Sequence, residues 1–545
     1  MEHGTRERQT IFINVSSRPE RPHSLPARLL RVGGRGVKGP AVGPERLTTS
    51  REQQIASTTR PPRLAKKREP GKSTAGTPLT MTRFKGHQHR IRHAHQKRAS
   101  EMSRMKRTVT VLLFLLLAAA LVSAQDWIRT GTGLGVEKIR LAAPDFQMVT
   151  TDTGTQNLAM TFNTTFTNDL QSAGIFDMVS RSFFPLSIPG APQQVVLPEW
   201  GSPPPNASML AFGNLGVQAG YLNVQGWLYD TKNPQSPQVL GKQYREQANE
   251  ANARLIAHRF ADEIIFRLGG GVQGIAESRV YFVSNRSGSK EIWQMDYDGA
   301  NQKQLTHLGS IALSPHVSPD GARVAFSGVT KEGWQILMYS LDLGRLVTFA
   351  RFGGDNYSPA WSSDGQNIAL SSSRTGNSEI YAVSSTGSNP RRLTENKGPD
   401  VSPTWNPKTN AQIAWVSGRT GLPQIYTMAS DGTNVVRMTD QGYAVSPSWS
   451  PNGQFLAFAW VRHYGPGAPG ASDIYVMDVA SKQWAQLTHD GGRNDFPSWS
   501  PDGRHIVFQS NRTGKLQIWT MLADGSQQRQ LTTAGENSQP DWSFK

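Results

Sequence analysis

Cysteine is absent from all 545 residues of the sequence. Its absence excludes disulfide bonds, a thiol nucleophile and a cysteine-ligated zinc site. It also excludes lipid attachment to a cysteine behind a signal peptide. Any exported form of this chain must therefore fold without covalent cross-links.

Acidic residues are scarce at the start of the chain. Residues 1–107 contain 25 Lys or Arg, 7 Glu and no Asp, whereas the remainder is nearly balanced, with 33 basic and 34 acidic residues. Residues 1–104 also lack hydrophobic periodicity, so we predict a disordered basic extension that results from a misassigned start. The alternative is a basic nucleic-acid-binding arm, which is disfavoured because only Phe12 and Phe84 are available for base stacking. We expect no nucleic-acid partner.

No apolar run is long enough to cross a membrane. The stretch "MKRTVTVLLFLLLAAALVSAQDW" has a basic start, an apolar core of about 13 residues and small residues at 122–124, whereas a spanning helix needs roughly 20. This pattern predicts a signal peptide over residues 105–124, with translation starting at Met105 or alternatively Met102. The mature chain would begin near Gln125, without a membrane span, and its expected location is the periplasm.

Motifs for common catalytic sites are missing from the mature chain. It contains no HExxH, no GxSxG and no Walker loop. Enzymatic activity is therefore unsupported but not excluded: a hydrolase with an unrecognised site stays open and would be detected by activity profiling on envelope polymers. We expect no cofactor. We interpret His258, Asp262 and Glu263 as solvated polar residues of a helix rather than as metal ligands, and we expect no metal site.

A repeated phrase dominates the second half of the sequence. "SPTWNPKTNAQIAW" at residues 402–415 has relatives on both sides, and their prolines are spaced 44, 44, 44, 50 and 43 residues apart. Each period runs through a Pro-x-Trp segment, a turn such as "SPDG", an apolar alternation, a turn such as "RTG", a third apolar segment and a final Leu-Thr or Met-Thr. Four short strands in about 44 residues are typical of a propeller blade. The repeated prolines are Pro315, Pro359, Pro403, Pro447, Pro497 and Pro540.

The two ends of the repeat region predict how the ring closes. Residues 279–306 supply the second, third and fourth strands of a blade, while "SQPDWSFK" at the C-terminus supplies a first strand only. Pairing them gives six blades and leaves no blade with an open edge. The repeated tryptophans are predicted to pack between blades.

The region before the repeats has a different pattern. Residues 125–270 contain a predicted strand, an amphipathic helix, a returning strand, two strands around Gly216 to Gly220 and a final amphipathic helix. We therefore predict an α/β N-terminal domain over 125–270, followed by an all-β six-bladed β-propeller over 271–545.

Several phrases together resemble one family. The order of signal peptide, small α/β domain and six blades, with "NDLQSAGIFDMVSR", "AHRFADEIIFRLGG" and "SPxWSPDG…IYxM…DG…LT", resembles the TolB family of the Tol-Pal system. The resemblance implies a non-enzymatic, monomeric periplasmic protein. It implies binding of the peptidoglycan-associated lipoprotein at the propeller, contact with the inner-membrane protein TolA through the N-terminal segment, and support of outer-membrane invagination during division. The alternative is a propeller scaffold for a different envelope complex, which would be distinguished by the protein that co-purifies.

Two sets of residues are the candidate partner-binding sites. We expect the residues just before each innermost strand to converge around the channel on one face and to form a polar rim suited to hydrogen-bonded recognition of the lipoprotein. The rim candidates are Asp355, Asn356, Tyr357, Asp400, Tyr443, Asn494, Asp495 and Asn537. The glycines near residue 133 indicate a flexible strand that docks or releases, and it would contact the TolA-like protein. The candidates in this N-terminal segment are Gln125, Asp126, Trp127, Ile128, Arg129 and Thr130.

Overall fold

A computed structural model describes residues 127–135, 137–461, 471–489 and 491–543. The predicted extension (1–104), the predicted signal peptide (105–124) and the candidate residues Gln125 and Asp126 lie outside the described residues.

A mixed β-sheet forms the first part of the described chain. Its long strands form one antiparallel meander, whereas the two short strands at the other edge pair in parallel. The spatial order is β3-β1-β4-β5-β6, with β2 paired to β4. The strands are β1 (Ile139–Ala142), β2 (Gln147–Met148), β3 (Phe176–Met178), β4 (Met209–Gln218), β5 (Tyr221–Asp230) and β6 (Gln238–Gln247).

Two long helices cover one face of this sheet. Helix α1 (Thr153–Ser172) begins at Asp152, whose side chain accepts the Thr155 N–H, and a short helix α2 (Leu197–Gly201) follows later. Helix α3 (Glu250–Leu268) is capped in the same way by Asn249. Their apolar faces bury Phe162, Phe166, Ile256, Phe260 and Ile264 in one core with the sheet. Short 3-10 turns occur at Arg181–Phe183 and Pro192–Gln194.

The predicted α/β character is confirmed, but one long strand was not predicted. Strand β6 carries the polar sequence QVLGKQYREQ and lies at the edge of the sheet. An edge strand with one solvated face tolerates polar residues, so its sequence has too little apolar alternation to indicate a strand. Among the described residues, no helix has the length and apolarity needed to cross a membrane.

Six four-stranded antiparallel sheets follow, as the repeats predict. Each sheet is one blade; in five of them the strands run in sequence order from the channel outwards, and in the sixth the last strand of the chain is innermost. Blades 1 to 3 are β10 (Ala312–Val317), β11 (Arg323–Thr330), β12 (Gly333–Ser340), β13 (Arg345–Val347); β14 (Asn356–Trp361), β15 (Asn367–Ser372), β16 (Glu379–Ser384), β17 (Arg391–Arg392); and β18 (Asp400–Trp405), β19 (Gln412–Ser417), β20 (Gln424–Ala429), β21 (Val436–Arg437). Blades 4 to 6 are β22 (Tyr443–Trp449), β23 (Phe455–Val461), β24 (Asp473–Asp478), β25 (Trp484–Gln486); β26 (Asn494–Trp499), β27 (His505–Ser510), β28 (Gln517–Leu522), β29 (Arg529–Gln530); and β30 (Asn537–Trp542), β7 (Arg279–Ser284), β8 (Glu291–Asp296), β9 (Lys303–Gln304).

The ring closes as predicted, because β30 pairs with β7. Trp542 lies opposite Val280 in this antiparallel pair, and its indole Nε1 donates to Ser278 Oγ at 2.8 Å. Trp542 and its counterparts in blades 2 to 5 are buried between blades, which confirms the packing role predicted for them. Strand β30 therefore completes the blade whose other three strands are β7, β8 and β9.

Every innermost strand contains a β-bulge that the repeat pattern does not reveal. The residue before each repeated proline has a left-handed backbone, with φ between 50° and 53°. None of the six is glycine, so each carries a modest conformational cost that the neighbouring blade helps to offset. The Ser402 N–H, for example, donates to Ser371 Oγ of the preceding blade at 3.1 Å. The six residues are Ser314, Ser358, Ser402, Ser446, Phe496 and Gln539.

The Leu-Thr ending of a blade has a specific structural role. In blade 2, Thr394 Oγ1 accepts the Ile380 N–H at 2.9 Å and donates to the buried Glu379 Oε2 at 2.7 Å. In blade 5, Thr532 makes the same pair of bonds with Ile518 and Gln517. The repeated threonine thus joins the outermost segment to the start of the third strand.

Candidate partner-binding surfaces

The propeller has two faces that are defined by different loops. The rim face is where the innermost strands begin, and it is formed by the loops that join strand 4 to strand 1 and strand 2 to strand 3. The domain face is where the innermost strands end. The described residues of the rim-face loops are 285–290, 305–311, 331–332, 348–355, 373–378, 393–399, 418–423, 438–442, 471–472, 487–489, 491–493, 511–516 and 531–536. The domain-face loops are 297–302, 318–322, 341–344, 362–366, 385–390, 406–411, 430–435, 450–454, 479–483, 500–504 and 523–528.

The α/β domain contacts the domain face at blades 5 and 6. His505 Nε2 donates to the Ser172 carbonyl at the end of α1 at 2.8 Å, and Arg504 Nη2 donates to the Gly269 carbonyl after α3 at 2.7 Å. Arg254 of α3 pairs with Asp298 at 2.8 Å. These contacts hold the α/β domain on the side of the propeller opposite the rim face.

A buried hydrogen-bonded cluster lies at the centre of this interface. Asp169 of α1 accepts from His258 Nδ1 at 2.7 Å and from Tyr297 Oη of blade 6 at 2.5 Å. Arg254 Nη2 lies 3.4 Å from His258 Nε2. The interpretation of His258 as a solvated helix residue is therefore wrong, since its side chain is buried against a carboxylate. Asp262 accepts the Ala276 N–H and Glu263 pairs with Lys242, so those two serve structure as well.

This cluster contains serine, histidine and aspartate but is not arranged for nucleophilic catalysis. Ser172 Oγ bonds the Asp169 carbonyl and Tyr297 Oη, and not the His258 ring. The second ring nitrogen of His258 faces the Arg254 guanidinium instead. A nucleophile needs its base within hydrogen-bond reach, and that pairing is not formed here.

The N-terminal segment (residues 127–135) docks at the junction of the two domains. Ile128 and Leu134 are buried in a cluster with Phe455 and Leu522 of blades 4 and 5. Trp127 contacts Phe455, with ring centroids 5.5 Å apart. Arg129 Nε lies 3.1 Å from Asp524 Oδ2 and completes the attachment.

The expectation of a strand in this segment is wrong, whereas its flexibility stays a prediction. Residues 127–132 are helical, and Thr132 Oγ1 donates to the Ile128 carbonyl at 2.7 Å. Gly131 is needed for close approach, because a Cβ there would lie 2.2 Å from Phe455 Cζ. The glycine pattern alone indicates a flexible backbone. The requirement for glycine at position 131 comes instead from Phe455, which lies more than 300 residues away in sequence.

The structure places the rim candidates at the start of the innermost strands, but it does not expose most of them. Asn356, Asp400, Asn494, Asp495 and Asn537 are buried. These five side chains therefore lie beneath the rim surface, and their part in partner binding stays a prediction. Their amides and carboxylates form hydrogen bonds with neighbouring residues. Asn356 Nδ2 donates to the Phe352 and Gly354 carbonyls, and Asp495 Oδ1 accepts from Ser446 Oγ.

An arginine that sequence reasoning missed explains the burial of three of them. In blades 3, 5 and 6 the arginine of the "R[ST]G" turn reaches the first residue of the innermost strand. Arg419 pairs with Asp400 at 3.0 Å, Arg512 donates to Asn494 at 2.9 Å and Arg286 donates to Asn537 at 2.8 Å. The repeated arginine was visible in the turn, but its partner lies about 20 residues away in blades 3 and 5, and at the other end of the propeller in blade 6.

The other three rim candidates remain accessible. Asp355 is exposed, and its Oδ1 accepts the Trp334 N–H at 3.0 Å. Tyr357 is half-buried and its hydroxyl bonds Ser378 Oγ, while Tyr443 is half-buried at the start of β22. These three lie in blades 2 and 4 on the rim face.

A cavity of about 230 Å³ occupies the domain-face end of the channel. Tryptophans 361, 405, 449, 499 and 542 line it, together with His316 and Asp541 of the neighbouring blades 1 and 6. Asp541 is held in place because its Oδ2 accepts the Val317 N–H at 2.9 Å. Among the described residues, no group of three or more His, Cys, Asp or Glu is arranged to hold a metal ion.

Comparison with known proteins agrees with this architecture. Residues 267–465 and 441–545 match the TolB beta propeller domain family. The chain is 34% identical over 387 residues to the Protein TolB homolog of Chlorobium luteolum, covering 62% of this chain and 75% of that protein. It is 32% identical over 299 residues to the Tol-Pal system protein TolB of Desulfosudis oleivorans, covering 54% of this chain and 66% of that protein.

A solved structure shares the fold. The crystal structure of TolB from Acinetobacter baumannii superposes with a TM-score of 0.63 at 22% identity, covering 75% of this chain and 97% of that one. At this identity the likeness concerns the fold alone. The family match across the propeller and the long alignment to the Chlorobium protein carry the assignment: the chain belongs to the TolB family.

Proposed function

We propose that this chain is the non-enzymatic, periplasmic, protein-binding component of a Tol-Pal system. In this role it binds the peptidoglycan-associated lipoprotein at the rim face and a TolA-like inner-membrane protein through its N-terminal segment. The linkage supports outer-membrane integrity and the inward movement of the outer membrane during division. Family membership and the name of the Desulfosudis relative support the Tol-Pal assignment.

The observation that carries the proposal is how lightly the N-terminal segment is attached. Ile128 and Leu134 are its two buried anchors, and burial of one such side chain stabilises by roughly 1.5–3 kcal/mol. The Arg129–Asp524 ion pair adds little, because the arginine side chain is 46% exposed. Only Ile128 and Leu134 of the nine residues 127–135 are buried, so few contacts offset the conformational entropy lost in ordering the segment. A segment with this balance can dock or be released by a partner.

The rim face suits the second partner because the α/β domain contacts the opposite side. The accessible candidates there are Asp355, Tyr357 and Tyr443, so we propose these three as direct contacts. The five buried candidates, Asn356, Asp400, Asn494, Asp495 and Asn537, hold the surrounding loops in place. Hydrogen bonds beneath a binding surface hold its loops in one conformation. Less conformational entropy is therefore lost when a partner binds.

The test of lipoprotein binding is titration calorimetry of the purified protein against the soluble domain of the lipoprotein from the same genome. Saturable binding that weakens in Asp355→Ala supports the proposal. Asp431→Ala is the matched control, because Asp431 is also an exposed aspartate that accepts a local backbone N–H, but it lies on the domain face. Absence of heat at several temperatures would contradict the lipoprotein assignment.

The test of the N-terminal segment is hydrogen exchange with and without that lipoprotein domain. Changed protection of residues 127–135 on binding supports communication between the two sites. Identical exchange in both states would remove the switch from the proposal while leaving lipoprotein binding in place.

A further inference from the structure

The two faces of the propeller carry opposite charge. Among the described residues of the rim-face loops, ten are Lys or Arg and five are Asp or Glu. The domain-face loops contain three Lys or Arg and seven Asp or Glu. The rim-face loops thus have an excess of positive charge, part of which is compensated by the Arg419–Asp400 pair at the start of β18, although residues 108–545 together are close to neutral.

Several of these cations are exposed. Lys331, Arg374, Lys397 and Lys515 are exposed and lie in loops of blades 1, 2 and 5 and in the connection between blades 2 and 3. Charges arranged around one face of a rigid disc add up to a field that extends about 10 Å into solution at moderate ionic strength. A partner that approaches this face therefore meets a positive surface.

Some of the cations are also fixed in position. The Arg286 guanidinium lies 4.5 Å from the centre of the Trp293 ring, and Arg374 lies 5.7 Å from the Tyr381 ring. Stacking on an aromatic ring restricts a long side chain before any partner binds, which lowers the entropy lost in forming a new charged contact. Arg286 bonds the neutral Asn537, so that contact leaves its charge uncompensated.

We propose that the rim face recognises an acidic protein surface. This inference rests on the proposed function and adds the chemical character of the partner: the region of the lipoprotein that docks here carries excess Asp and Glu. Acidic residues such as Asp355 and Glu395 stand between the cations, and this mixture fits a partner with patterned charges better than a uniformly anionic membrane. Ile311, at 39% exposure, is the most exposed large apolar side chain among the described rim-face residues, which leaves little to insert into lipid.

The experiment reverses charge on the rim face and measures binding to two probes. The variant is Lys331→Glu, Lys397→Glu and Lys515→Glu combined, and the control is Lys138→Glu, Lys303→Glu and Lys408→Glu combined. All six lysines are exposed, and the control set lies outside the rim-face loops. The probes are the soluble lipoprotein domain and a 20-residue glutamate-rich peptide. Equal melting temperatures of the two variants establish that both are folded.

We expect the rim variant to weaken binding of both probes by about tenfold or more, mainly through slower association, and the control to stay within about twofold. Raising the salt concentration should weaken wild-type binding in the same way. Lipoprotein binding that is insensitive to salt and to the rim variant would overturn the acidic-surface inference and leave the proposed function standing.

The second probe separates the remaining outcomes. If the lipoprotein domain does not bind but the peptide binds and is lost only in the rim variant, the inference stands and the lipoprotein assignment fails. If neither probe binds, both fail. Vesicles containing about one third anionic lipid serve as the test of a membrane surface, and binding to them that matches the protein probe would overturn recognition of a protein.

Discussion

His258 Nδ1 lies 2.7 Å from Asp169 Oδ2, and the other oxygen of that carboxylate accepts the Tyr297 hydroxyl of the propeller. Two helices of the α/β domain and one blade therefore meet at a single buried carboxylate. Helix α3 adds a second link, since Arg254 pairs with Asp298 in the loop that follows Tyr297. A single buried cluster of ionisable groups therefore bridges the two domains.

The first prediction concerns the pH dependence of stability. Burial opposes the charge of His258, but the hydrogen bond and the negative charge of Asp169 outweigh it, so the pKa of His258 is raised above its ordinary value of 6.5. A raised pKa in the folded state contributes stability that is fully present below pH 6.5 and is lost as the pH rises through the folded pKa. We expect His258→Gln to destabilise most at low pH, with a difference from wild type that shrinks towards alkaline pH.

Denaturant unfolding at a series of pH values from about 5.5 to about 8.5 measures this difference. The control is His489→Gln, which removes an exposed histidine that lies outside this cluster on the rim face. A difference between wild type and His258→Gln that is constant with pH would show that the pair contributes through hydrogen bonding alone.

The repeats made the propeller predictable, whereas the interfaces were not predictable. Blade strands are bounded by turn residues such as Asp502 and Gly503, whose effect is local, so the period alone indicates the architecture. The partner of His258 is 89 residues away and the partner of Arg129 is 395 residues away. No local sequence pattern encodes such distant pairings. The buried His258 could therefore not be distinguished from a solvated histidine on a helix.

The rim candidates lie at or near the start of the innermost strands, but most of their side chains are buried. An Asn or Asp before a strand indicates a polar loop, and Asn494 does lie at the start of its strand. Whether its side chain points outwards depends on Arg512, which reaches back from the turn between the next two strands. The exposed character of the rim face therefore comes from the loop cations rather than from the strand-start residues.

The second prediction concerns the Leu-Thr ending of a blade. Thr394→Val keeps the shape of the side chain but removes both the acceptor for the Ile380 N–H and the donor to the buried Glu379. Leaving a buried polar group unsatisfied costs about 1–3 kcal/mol, so we expect a loss of that size in the free energy of unfolding. The control Thr533→Val changes an exposed threonine and should have an effect within about 0.5 kcal/mol. A loss as small as the control's would show that Glu379 finds other partners.

The third prediction concerns ring closure. Deleting residues 539–545 removes most of β30, including the buried Trp542, and exposes the edge of β7. We expect a loss of at least about 3–5 kcal/mol, the usual cost of truncating one buried tryptophan, together with aggregation through the exposed edge. Trp542→Ala separates the side-chain contribution from the strand, and the control Leu186→Ala alters a fully exposed side chain. Thermal melts of the truncated protein that match wild type would contradict closure through the last strand.

The fourth prediction concerns the N-terminal segment, where helix propensity and packing favour opposite results. Gly131→Ala raises intrinsic helix propensity by about 1 kcal/mol and would therefore strengthen an isolated helix over residues 127–132. In the folded protein, however, the added Cβ would lie 2.2 Å from Phe455 Cζ, and this ring is buried in blade 4 with no room to withdraw. We expect the clash to dominate, so that residues 127–135 lose hydrogen-exchange protection while the blades keep theirs. The control is Gly353→Ala, where an added Cβ has no neighbour within 4 Å. Unchanged or greater protection of the segment in Gly131→Ala would mean that the segment accommodates the methyl group by shifting along the blade, and that its docking does not depend on the close approach of Gly131 to Phe455.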